Sequence, residues 1–253
     1  MVWFETLLVA VSTYSALPVP QFAWKEKNMR YAICCLPVVG VFCGGALLLW
    51  NWFCSRMEVG ALLFAAAAVV LPILITGGIH MDGYMDTVDA LASHQSRERK
   101  LEILKDSHCG AFAVLYCGVY LILQLGLFSA VYEAGHTEVY ALGHVLSRAL
   151  SALCAVTMPN ARKSGMLCAF TEQTQKRGAA ASMILLALLT AAGMIWIDPV
   201  CGGTAVACSV VAVLGYRRMA NRQFGGATGD TAGFFLQLCE LTMLAGVWLG
   251  GLL

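Results

Sequence analysis

Gly77-Gly78-Ile79-His80-Met81-Asp82-Gly83-Tyr84-Met85-Asp86-Thr87-Val88-Asp89 follows directly on an apolar run of bilayer-spanning length and sets three aspartates at i, i+4 and i+7. At helical pitch the three fall within about 60° of one helix face. Anions crowded on one face repel one another, and beside lipid they are expensive. A divalent cation neutralises such a cluster, so the stretch reads as a hard-metal site at a membrane surface. A solvated helix start, where the helix dipole favours Asp, accounts for one or two of the three and not for all.

The rest of the chain supplies the membrane. Of its 253 residues, 59% are hydrophobic and 12% charged, and the mean hydropathy is +0.74. A soluble chain of this length needs far more charged surface. Apolar runs recur over 31–54, 60–78, 111–132, 139–158, 179–197, 200–216 and 232–253. The expected fold is all-α, a polytopic transmembrane helical bundle of about seven spans. It forms a single integral-membrane domain over residues 1–253. A short apolar segment, 2–17, precedes the spans and stops at Pro18-Val19-Pro20; it is marginal for spanning and suits a re-entrant or interfacial place. Met1 to Leu17 carries Glu5 and no early Lys or Arg, unlike a cleavable signal peptide.

The net charge of +1 implies no bulk attraction for nucleic acid. The eleven cysteines are scattered through apolar segments without a CxxC pair or zinc spacing, and read as packing residues. Loop charge alternates. Loops 21–30, 81–110, 159–178 and 217–231 carry bases, among them Lys25, Lys27, Arg30, Arg162, Lys163, Lys176, Arg177, Arg217, Arg218 and Arg222. The loop at 133–138 has Glu133 and Glu138, and the turn near 198 has Asp198. Basic loops belong in the cytoplasm, which puts the carboxylate cluster on the cytoplasmic side of the inner membrane. No inverted repeat of the acidic cluster occurs in the second half, which counts against a transporter.

Further residues join the first constellation. Asp106 adds a carboxylate, and the oxygen donors suit Mg²⁺ or Mn²⁺. Mg²⁺ is commonly held by one or two carboxylates plus substrate phosphates, which leaves one aspartate free as a general base. His80 suits metal, a phosphate or the headgroup layer, with a hydrogen-bonding role favoured. Arg97 to Ser107 reads as an amphipathic helix in which Glu98 and Glu102 pair with bases a turn away. Lys105 and Asp106 stand at its end, next to the following span. Gly225-Gly226-Ala227-Thr228-Gly229-Asp230-Thr231 opens the last apolar segment, where free backbone N–H groups suit a phosphate and Asp230 adds charge. Arg148 sits inside an apolar run; a phosphate fits its fork, and the alternatives are a carboxylate partner or snorkelling. Arg162 and Lys163 lie beyond it, either phosphate-binding or simply positive-inside residues.

Taken together, Gly77 to Ala90, Leu101-Glu102-Ile103-Leu104-Lys105-Asp106-Ser107-His108-Cys109-Gly110 and Gly225 to Thr231 resemble the cobalamin synthase family of adenosylcobinamide-GDP ribazoletransferases. Ser147-Arg148, Pro159…Arg162…Gly165 and Leu17-Pro18-Val19-Pro20 match in order, so the resemblance covers nearly the whole chain. It implies an Mg²⁺-dependent reaction in which a hydroxyl of α-ribazole, or of its 5′-phosphate, attacks the phosphorus nearer cobinamide in adenosylcobinamide-GDP and GMP leaves. Asp82 and Asp86 are then expected to carry Mg²⁺, with Asp89 a third ligand or the base and Asp106 and Asp230 completing the site. Lys105, Arg148 and Arg162 hold phosphates, as do His80 and the Gly225, Gly226 and Thr228 turn. A homo-oligomer is compatible with the sequence. The chain departs from the family at Ala90-Leu91-Ala92-Ser93-His94, where a glycine-rich patch is usual, at His108-Cys109, and at Gln237, where Glu is common. Two other classes compete. A cation-coupled transporter uses aspartates as an ion path. A CDP-alcohol phosphotransferase requires an arginine after Asp-Gly that Tyr84-Met85-Asp86-Thr87 lacks.

Overall fold

The computed structural model describes residues 2–20, 22, 29–106 and 108–253; Lys25, Lys27 and Ser107 lie outside the described residues. Among the described residues there are eleven α-helices and no strand. They are α1 (Val2–Tyr14), α2 (Leu36–Arg56, led in by a 3-10 turn at Ala32–Cys35), α3 (Ala61–Thr76), α4 (Ile79–Ala92), α5 (Arg97–Ile103), α6 (Ala111–Glu133), α7 (Thr137–Thr157), α8 (Met166–Gln173), α9 (Lys176–Ile197), α10 (Pro199–Gln223) and α11 (Gly229–Gly250).

Six of these, α2, α6, α7, α9, α10 and α11, are long and apolar enough to cross a bilayer. Large apolar side chains on their outer faces, such as Leu185, Leu188 and Leu189 on α9 and Leu115 and Ile122 on α6, are exposed, as a lipid-facing surface requires. The central helix is α7, which buries Tyr140, Leu146, Ala149 and Ala152 among its neighbours. Helix starts are capped from the sequence itself. Asp198 accepts from the Val200 and Cys201 N–H groups at 3.0 and 2.9 Å to open α10, and Thr228 and Thr231 form a reciprocal capping box that opens α11.

The seventh expected span departs from a straight helix. Over 60–78 the chain forms α3 and then bends by 96° into α4. Gly77 and Gly78 take left-handed φ of 65° and 78°, and the Gly78 N–H closes on the Ile73 carbonyl at 3.0 Å. Only glycine adopts two such residues in a row cheaply. The aspartate helix therefore does not run straight on from α3; it leaves at 96° and packs against α11 and α6. The apolar segment at 2–17 forms α1, whose 13 residues reach only about 20 Å, too short for a core of about 30 Å. It tucks in beside the bend, with the Ala16 N–H on the Ile75 carbonyl at 2.9 Å. The 159–178 loop contains the helix α8, which periodicity had not isolated.

Charge sorts to the two ends of the bundle. At one end the basic loops touch: Arg162 donates to the Leu101 carbonyl at 3.1 Å, Lys100 to Gln223 at 2.5 Å, and the Ala227 N–H to the Pro159 carbonyl at 2.8 Å. At the other end His136 faces Asp198 at 3.3 Å. This is the separation expected of a bundle that obeys the positive-inside rule.

Candidate functional site

The site forms where α4 crosses the start of α11. Gly83 lies against the Asp230 backbone, and a Cβ there would come within 2.8 Å of the Asp230 carbonyl. Contact at this range requires glycine, and it brings Asp82 and Asp86 of α4 to Asp230 of α11. The Gly225–Thr228 turn is held from below by a parallel bridge between Asn160 and Ala227. The Ala161 N–H closes that bridge on the Ala227 carbonyl at 2.9 Å. Gly226, at φ 153°, has the Pro159 carbonyl where a side chain would stand. The two segments thus place Arg162 beside Asp230, at 3.3 Å.

Asp82, Gly83, Arg162 and Asp230 border a cavity of ≈ 320 Å³; Asp86, one helical turn further along α4, does not line it. His80, Asp82, Asp230, Arg162 and Thr228 line its polar part. Its other wall comes from Tyr14, Ile33, Leu36, Ala152, Ala155 and Leu167. Burial first, then the charges of Asp82, Asp230 and Asp89, push the Asp86 carboxyl up to about 6, against the pull of Arg162. The carboxylates therefore feel one another, with Arg162 as the opposing charge. Burial, followed by the Arg148 cation, brings the His80 imidazole down to about 3, so it is neutral at physiological pH. Its buried Nε2 has no hydrogen-bond partner within the chain.

Several expected site residues are placed elsewhere. Asp89 turns its carboxylate to the start of α6, accepting from the Gly110 N–H at 2.5 Å and the Ala113 N–H at 2.8 Å. It caps a helix whose own first residues offer no capping side chain. Asp82, Asp86 and Asp89 accordingly do not converge as a compact three-ligand set. Among the described residues the group of three that does is His136, Asp198 and Cys201, at the opposite end. There Asp198 is already the α10 cap and the partner of His136. Arg148 is fully buried and donates to Glu240 at 2.6 Å, so the carboxylate alternative holds rather than the phosphate. Lys105 and Asp106 are exposed and do not border the cavity. Asp106 instead takes the His108 ring and backbone N–H at 2.6 and 3.0 Å, which lower its carboxyl below the usual range. Gly225 and Gly226 shape the turn without bordering the cavity. Gln237 accepts from the Tyr120 hydroxyl at 2.6 Å. Sequence reasoning did not select Ser151, Asn160 or Ser164 as site residues, or the apolar wall. Small and aliphatic residues carry no chemical signature, and only the fold reveals that they face a cavity.

A family profile described as cobalamin-5-phosphate synthase matches residues 6–248. The chain belongs to this family. A similar chain from Lachnoclostridium phytofermentans, named adenosylcobinamide-GDP ribazoletransferase, is 42% identical over 241 residues, 95% of this chain and 92% of that one. Relatives of the same name from Geobacillus sp. (strain WCH70) and Clostridium botulinum (strain Alaska E43) are 32% and 27% identical, covering 96% and 95% of this chain and 94% and 96% of their own. No solved structure matches.

Asp89 gives a cobalamin synthase of this kind a test that separates capping from chemistry. Asp89→Ala is expected to lower stability in detergent by about 0.5–2 kcal/mol, the usual worth of a lost cap. Asp89→Asn, which keeps an acceptor oxygen, should lose less. Thermal unfolding of both variants checks this; equal melting of wild type and Asp89→Ala would remove the capping role.

Proposed function

We propose that this chain transfers the adenosylcobinamide phosphate group from adenosylcobinamide-GDP to α-ribazole or its 5′-phosphate. The reaction releases GMP and is the last joining step of cobalamin assembly, at the cytoplasmic face of the inner membrane. The family membership supports the reaction class. The observation that carries it into this structure is the meeting of Asp82 and Asp230 with Arg162 at one cavity, with Asp86 outside the lining but within electrostatic reach of all three.

The donor set fits Mg²⁺. Asp82 and Asp86 are hard oxygen donors one helical turn apart, and the Asp86 carboxyl, raised first by burial and then by the charges of Asp82, Asp230 and Asp89, is one whose charged form a cation would favour. Asp82 and Asp86 would hold the ion, with substrate phosphates completing its shell. When bound, Mg²⁺ offsets charge on the diphosphate and on the departing GMP. Arg162 holds a phosphate oxygen, a task its planar fork suits. The neutral His80 imidazole orients the attacking hydroxyl through Nε2. Asp230, in the cavity wall beside Arg162, takes the hydroxyl proton as the ribose oxygen bonds to phosphorus and the bridging P–O bond to GMP breaks. Most of the acceleration comes from positioning and electrostatics.

The decisive experiment incubates purified protein in lipid with adenosylcobinamide-GDP, α-ribazole and Mg²⁺ and measures GMP and cobalamin by mass. Absence of both, with a relative active in parallel, would overturn the proposal. A second measurement follows from Asp86. Its proton competes with the cation, and its carboxyl titrates near 6. Apparent Mg²⁺ affinity should therefore fall as pH drops through that value, by up to about tenfold per pH unit. An affinity that stays flat from about pH 7 to about pH 5 removes Asp86 from the ion.

A further inference from the structure

The cavity has two unlike parts. Ile33, Leu36, Ala152 and Ala155 belong to one contiguous apolar cluster, with Tyr14 and Leu167 packed against it. His80, Asp82, Arg162 and Asp230 stand at the other side, on α4, α11 and the Pro159–Gly165 connection. At ≈ 320 Å³ the space lies near the lower end of the roughly 300–1,000 Å³ that hold one drug-sized ligand. It admits a nucleoside. A corrin ring with its peripheral amides and a nucleotide tail is far too large.

The reaction offers two nucleoside-sized groups, the acceptor and the guanosine of the donor. Their base edges separate them. Guanine carries a donor–acceptor edge, and against an aliphatic wall those groups would lose water without gaining partners. The base of α-ribazole ends in a methylated hydrocarbon edge, which gains by burial there. On the ribazoletransferase reading above, we infer that this cavity is the acceptor subsite. The benzimidazole lies against Ile33, Leu36, Ala155 and Leu167, the ribose faces His80 and Asp82, and the corrinoid and guanosine remain outside. The buried, partnerless Nε2 of His80 is the polar atom that a ribose hydroxyl satisfies. The helices α1 and α8 thereby gain a purpose, since Tyr14 and Leu167 complete the wall.

The test reads the two substrates separately. Calorimetry with wild-type protein and α-ribazole alone should show binding without the corrinoid, and guanosine in equal excess should not displace it. Ala155→Phe fills the cavity from α7, and Met166→Trp narrows it at an exposed edge where folding is not at stake. Both should raise KM for α-ribazole by about tenfold or more and leave KM for adenosylcobinamide-GDP unchanged. A rise in the corrinoid KM instead, or displacement by guanosine, overturns the subsite assignment while the activity stands. Wild-type protein without turnover that still binds α-ribazole removes the activity and keeps the subsite; neither turnover nor binding removes both.

Discussion

Asp86→Asn is expected to fold, insert and still bind α-ribazole, yet to lose cobalamin formation by about 10²-fold or more, the scale seen when one preorganised electrostatic contact to a transition state is removed. The substitution keeps the side chain's size and deletes one charge. Because Asp82, Asp230 and Asp89 all press on Asp86, removing its charge relieves repulsion, and stability should rise or stay level. Loss of turnover with gain of stability is the signature of a functional carboxylate rather than a structural one. Asp82→Asn should behave alike, with an activity loss that excess Mg²⁺ partly restores. Asp89→Asn should retain much more activity, since its carboxylate serves the start of α6. The measurements are steady-state turnover across an Mg²⁺ series and thermal unfolding of the same preparations. Wild-type turnover in Asp86→Asn at limiting Mg²⁺ would refute the ligand assignment.

The contrast between Asp86 and Asp89 shows where sequence reading stops. The i, i+4, i+7 spacing correctly put three carboxylates on one helix, because 3.6-residue periodicity is a local property. Which of them stays with Asp82 and Asp230 and which caps a distant helix depends on Gly110, twenty-one residues beyond Asp89, and no local pattern encodes that. The spans were legible for the same local reason, and six of the seven are single helices as expected. The seventh run forms α3 where it was expected, but the 96° bend that follows was not legible, because the left-handed φ values of a glycine pair are invisible in the letters. Lys105 and Asp106 stand next to the following span in sequence, which drew them toward the site; in space they stay on the exposed α5–α6 connection. For Arg162 the residues alone left two readings, phosphate binding or a positive-inside base, and the Asn160–Ala227 bridge makes it a neighbour of Asp230.

Arg148 was recognised as an arginine in need of a partner, and the partner lies ninety-two residues away. One oxygen of Glu240 collects Arg148 at 2.6 Å, His144 at 2.9 Å and the Ser147 hydroxyl at 3.0 Å, all within the bundle. Arg148 also donates to the His144 carbonyl at 2.9 Å. Breaking such a pair from one side leaves an uncompensated charge where water is absent, so Glu240→Leu should destabilise the fold by about 3–5 kcal/mol. Arg148→Met should do similar damage. The double variant Arg148→Met/Glu240→Leu removes both charges and should recover much of that loss, leaving chiefly the unpaired His144 and Ser147 groups at about 1–3 kcal/mol. A double-mutant cycle on unfolding in detergent measures the coupling. If the double variant is as unstable as the sum of the singles, the network is not the source of the stability. The cycle also bears on activity. The network ties α7, which carries Ser151, Ala152 and Ala155 of the cavity wall, to α11, which carries Asp230. A double variant that regains stability but not turnover would mean that the ion pair fixes the register between the acceptor's wall and the carboxylate that meets its hydroxyl.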